Sequence, residues 1–128
     1  MGQQQLLLII LGVIIVGIAI AVGLSLFSAQ SIQSNRDAII NDLNNLAAQA
    51  YQFRIRPTSM GGGQGDYTNF AIPTKMRTNE NGMFSIVTPG SNQIVFSAVS
   101  AQNASNSVTV TIDSFGRLSG WSYSGDFQ

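Results

Sequence analysis

The sequence predicts an α+β fold: a long N-terminal α-helix, apolar and then amphipathic, packed against a small antiparallel β-sheet of about four strands. Three observations predict it. From Leu6 to Leu24, nineteen consecutive residues carry no charged or strongly polar side chain. From Ile32 to Phe53, apolar residues recur at helical spacing, and no proline interrupts residues 1–56. After Met83, short alternating runs of apolar and hydroxyl residues are separated by turn-forming residues.

The apolar run sets the first element, residues 1–30. At about 1.5 Å per residue it spans roughly 28 Å, close to a hydrocarbon core of about 30 Å. No basic side chain precedes it, and it exceeds the apolar length of a secretory signal, so a cleaved signal peptide is disfavoured. Gly12, Gly17, Ala19, Ala21 and Gly23 punctuate it. Gly17/Ala21 and Ala19/Gly23 are small-xxx-small pairs, which let helix backbones approach closely where the hydrophobic effect gives no drive.

Residues 31–56 continue the helix with a different surface. Ile32, Ile39, Leu43, Leu46, Ala50 and Phe53 follow one another at spacings of 7, 4, 3, 4 and 3, the mark of a single apolar face. Ser34 or Asn35 has the chemistry of an N-cap, but nothing before them stops the helix. One helix of roughly fifty residues, about 75 Å long, is expected. Arg54 and Arg56 suit its C-terminal end, and Pro57 fits its termination.

Residues 57–82 form a connecting region. Gly61-Gly62-Gly63-Gln64-Gly65 lacks the Gly-Lys-Ser/Thr ending of a phosphate-binding loop, so it reads as a flexible link. Tyr67–Ile72 reads as a short extended segment before Pro73. Residues 83–128 then supply the sheet: Met83–Thr88, Gln93–Val99, Ser107–Asp113 and Leu118–Tyr123. Val108, Val110 and Ile112 alternate with Thr109, Thr111 and Asp113, a half-buried strand. Pro89–Asn92 and Asp113–Gly116 read as hairpin turns, Gly116 supplying a positive φ. The apolar face of this meander needs a cover, and the amphipathic helix is the available one. Ile39, Leu43, Leu46 and Phe53 are therefore expected to pack on Val108, Val110 and Ile112.

Charge and side-chain inventory narrow the function. Six basic and six acidic residues cancel, so no global field favours nucleic acid, and no specific nucleic-acid partner is expected. There is no histidine or cysteine, one lysine (Lys75), one glutamate (Glu80) and five scattered aspartates. Asp37 and Asp42, the nearest acidic pair, point about 140° apart on a helix. A general base near neutrality needs a histidine or a partnered carboxylate. The reading is not an enzyme, with no cofactor, metal or catalytic residue. Asn103-Ala104-Ser105 is a lone glycosylation sequon of a kind easily met by chance.

The order of parts resembles the type IV pilin family and its relatives, the pseudopilins and archaeal-type pilins. The residues that carry the resemblance are Leu6–Gly17, the unbroken step into the amphipathic half at Ser31–Phe53, and the C-terminal hairpins. It implies a structural subunit that waits in the cytoplasmic membrane and then polymerises into an extracellular filament on the cell surface. The implied partners are other copies of the chain, the membrane before assembly, a prepilin peptidase and the assembly machinery; cell adhesion is among the roles such filaments serve. On this reading Gln5, Leu6, Gly12, Gly17, Ala21 and Gly23 pack the filament core. Family members usually carry glutamate at the fifth mature position; counted from Met1 that place holds Gln5, and cleavage after Gly2 would instead start the mature chain at Gln3. A minor pseudopilin, or a membrane-anchored module with an exported binding head, is the alternative expectation.

Overall fold

The computed structural model describes residues 2–128. It has a long helix α1 (Gly2–Ile55), a one-turn helix α2 (Thr74–Arg77), and strands β1 (Gly82–Pro89), β2 (Ile94–Ser100), β3 (Ser107–Ile112) and β4 (Leu118–Ser124). Short 3-10 turns lie at Thr58–Met60 and Gly125–Phe127. The chain divides into two compact units between Gln33 and Ser34.

The first unit is the apolar part of α1, long and apolar enough to cross a membrane. Its large side chains, Leu6 through Phe27, are all more than half exposed.

The second unit, from Ser34 on, is the head. Its four strands form an antiparallel meander in the order β1-β2-β3-β4, and the last part of α1 packs against one face. Ile39, Leu43, Leu46 and Ala50 are completely buried there, as are Val108, Val110 and Ile112. Each buried leucine or isoleucine contributes about 1.5–3 kcal/mol. The register explains the sorting of side chains. Phe84, Ala98, Val108 and Tyr123 form one inward row, and Ser85, Ser97, Thr109 and Ser122 form the adjacent outward one.

Asn35 does not cap a new helix. It stays inside α1, 7% exposed. Its Nδ2 donates to the Asn81 carbonyl (3.0 Å), and the Ser100 hydroxyl donates to its Oδ1 (2.5 Å). One residue type that favours caps is thereby kept in the helix by long-range partners. A second tie lies two turns on, where Asp42 Oδ2 accepts from Asn79 and Asn81 (2.9 and 2.8 Å).

Two expectations for the connecting region need correction. The glycine-rich segment is not a loose link, because it folds back on the end of α1. Gly63 N–H donates to the Phe53 carbonyl (2.8 Å), Gln64 to Arg56 (3.0 Å) and Gly65 to Arg54 (2.6 Å). These bonds satisfy carbonyls that a helix end leaves free. A Cβ on Gly62 would collide with the Arg56 carbonyl and one on Gly63 with the Asp66 carbonyl, so the close approach needs glycine. Second, residues 67–72 form no strand; they turn, with Phe70 N–H donating to the Tyr67 carbonyl (2.9 Å). Their large side chains Tyr67, Phe70 and Ile72 plug the core instead, which is why an apolar run there mimics a strand. Phe53, at the end of α1, is half-buried and meets the head through Phe70 (5.5 Å between ring centres), which in turn meets Phe96 of β2 (6.0 Å).

Candidate functional site

The first candidate surface is the apolar part of α1. Gln5, Leu6, Gly12, Gly17, Ala21 and Gly23 all lie on it and are exposed. A Cβ added to Gly12, Gly17 or Gly23 would meet nothing within 4 Å. Their smallness therefore relieves no crowding inside the subunit. Each still costs the helix about 0.8–1.0 kcal/mol relative to alanine. At 100° per residue, Gly12, Ala19 and Gly23 fall within about 40° of one another. Gly17, Ala21 and Ser25 form a second stripe on the roughly opposite side. Helices that pair once need one such stripe; two opposed stripes suit a helix with neighbours on both sides.

The head holds the remaining candidates. At the β3–β4 turn, Asp113 Oδ1 accepts the N–H groups of Phe115 (2.8 Å) and Arg117 (2.9 Å). These bonds hold its carboxyl below the ordinary carboxylate pKa, the Arg117 amide first among them and desolvation opposing. Gly116 completes the turn at φ +80°, with Tyr51 packed against it. Tyr67 is buried beneath, its hydroxyl donating to the Asp113 carbonyl (2.7 Å), and burial raises its pKa above the usual value of 10.0. Asp66 binds Thr68 through both its N–H and its hydroxyl, which holds its carboxyl low. Each of these arrangements closes a turn rather than preparing a reactive group.

Four of the six basic residues lie in two places. Arg54 Nη1 donates to the Ser114 carbonyl (2.9 Å) and Arg117 lies by Phe115, both at the β3–β4 turn. Lys75 and Arg77 lie on α2, where Arg77 Nε donates to the Ile72 carbonyl (3.2 Å). Among the described residues, no three of His, Cys, Asp and Glu converge to hold a metal ion. Asn103 of the sequon is exposed, its Oδ1 accepting the Ser105 N–H (3.0 Å).

Sequence reasoning missed one feature of the head. The Arg36 guanidinium lies 4.2 Å from the centre of the Tyr123 ring, and Tyr123 runs parallel to Trp121 at 6.4 Å. The only available signal was the alternation of Trp121 and Tyr123 along one strand. No family model matches this chain, and neither a curated protein nor a solved structure matches it.

Proposed function

We propose that the chain is a structural subunit that polymerises through its apolar N-terminal helix into an extracellular filament of the type IV pilus kind. It waits in the cytoplasmic membrane, where the Leu6–Leu24 run matches the hydrocarbon thickness. A prepilin peptidase and an assembly machine act on it there, and it is not an enzyme.

The observation that carries this reading is the uncovered helix with two opposed small-residue stripes. A bilayer alone would cover the apolar side chains, and glycine is common in membrane helices. Close neighbours on two sides would use the opposed placing of the small residues. The head agrees: formal net charge zero permits dense stacking of copies without self-repulsion.

The test is fractionation of the native cells. Surface material is sheared off, membranes are collected separately, and the chain is quantified in both by mass spectrometry. The proposal expects this chain as the chief protein of the sheared filaments. Confinement to the membrane fraction would refute it and favour a membrane-anchored head.

A further inference from the structure

Arg36 is the first charged side chain of the sequence, and its surroundings are unusual. Among the described residues its Nε, like that of Arg54, is buried without a hydrogen-bond partner. Its guanidinium lies over the face of Tyr123 on the edge strand β4. A cation over an aromatic ring gains some attraction, but its N–H groups want an acceptor.

The fold puts Arg36 and the sole glutamate on opposite flanks of the head. Asn35 and Asp42, two turns apart on α1, both bond Asn81 at the start of β1. Arg36, 100° further round the helix, turns to β4 instead. Met83, Val99, Ser107 and Ser124 form one row across the sheet. The start of β1 and the end of β4 therefore share one end of the sheet. Glu80 is exposed in the turn that enters β1. A cation at one edge and an anion at the other thus stand at the same level. The exposed borders between them are uncharged, since neither Gly82–Pro89 nor Leu118–Ser124 contains a charged residue. Natural sheet edges are usually guarded by charge.

We propose that neighbouring heads pack side by side, the β4 flank of one copy against the start of β1 in a second copy, with Arg36 of the first paired to Glu80 of the second. The contact is heterologous: each copy offers a cation at one edge and an anion at the other, so it repeats without closing on itself. This inference rests on the filament reading. It adds which faces of the head meet and which charges set their register.

The chain has no cysteine, which makes a clean test available. Arg36→Cys and Glu80→Cys chains are co-expressed in the native cells, and the mixed filaments are treated with a short bis-maleimide. An arginine–glutamate pair sets its backbones too far apart for a direct disulfide, hence the linker. Cross-linked dimers are expected in the mixed filaments and not in filaments of either variant alone. Mixed filaments without dimers overturn the pairing, as do dimers in Arg36→Cys filaments alone. If the cysteine chains do not assemble, charge reversal decides. Arg36→Glu and Glu80→Arg should each cut filament yield several-fold, with the double variant restoring it; failure of the double variant to restore it overturns the proposal. Absence of filaments from the unmodified chain is a different result, because it refutes the filament reading itself.

Discussion

Asn35→Ala removes the polar tie between α1 and the sheet, and its cost can be worked from the geometry. Two hydrogen bonds are lost, one to the Asn81 carbonyl and one from the Ser100 hydroxyl. Each is worth about 1 kcal/mol net. The Asn81 carbonyl keeps the Ala101 N–H (3.0 Å), whereas the Ser100 hydroxyl still accepts the Gln102 N–H (3.1 Å) but loses the acceptor for its own proton. The orphan penalty is therefore avoided for the carbonyl but not for the buried hydroxyl, and the loss is at least about 2 kcal/mol. For a domain of this size that lowers Tm by about 10 °C. The assay is thermal and urea unfolding of the full chain in detergent micelles, followed by fluorescence of Trp121, the single tryptophan. Ser100→Ala in combination should cost less than the sum of the two single changes by about 1 kcal/mol, since the two residues share one bond. Asn41→Ala, on the exposed side of the helix, should stay within about 0.5 kcal/mol of the parent. An Asn35→Ala protein as stable as the Asn41→Ala control, or strict additivity with Ser100→Ala, would refute the reasoning.

Other consequences are as direct. Gly17→Leu fills one of the two small-residue stripes without touching the head; the protein should accumulate in membranes at parental levels but give few sheared filaments, and parental piliation would count against that stripe. Gly116→Ala forces a Cβ into the left-handed region and to 2.8 Å from the Tyr51 ring, so unfolding should show a loss of about 1–2 kcal/mol or more. Tyr67 has its pKa raised by burial: the folded state holds the phenolic proton more tightly, so stability is full below pH 10 and falls as pH rises through and above it. Tyr67→Phe should cost about 1 kcal/mol at neutral pH and lose that part of the alkaline decline, as read from urea midpoints across pH 8–12. Asp113 carries the opposite sign, its folded pKa lying below the ordinary 3.8. Its contribution is present above that value and disappears as pH falls below it; Asp113→Asn should flatten the acid limb of the same curve.

Periodicity made the main elements legible. Ile39, Leu43 and Leu46 are buried because helical spacing puts them on one face, and Val108, Val110 and Ile112 because strand alternation does the same. Gly116 was readable as a turn residue because positive φ has few other occupants. What local pattern misses is tertiary chemistry. The sequence places Asn35 inside one continuous helix but does not show what it bonds, because its partners, Asn81 and Ser100, lie far along the chain. The glycine-rich segment reads as slack because only the folded helix end shows which carbonyls it must satisfy. Tyr67, Phe70 and Ile72 alternate poorly, yet each fills the core from an irregular segment. The opposition of Arg36 and Glu80 needs the strand register and is invisible in sequence order. The two small-residue stripes, by contrast, follow from helix geometry alone once α1 is known to run unbroken from Gly2.

The central claim is that the apolar part of α1 is the core of a polymer. A helical reconstruction of filaments sheared from the native cells, at a resolution that traces side chains, tests it most directly. The account predicts residues 6–27 of many copies bundled close together around the filament axis, glycine stripes in helix–helix contact, and heads outside. Filaments held together by heads alone, with the apolar helices apart or missing from the core, would contradict it.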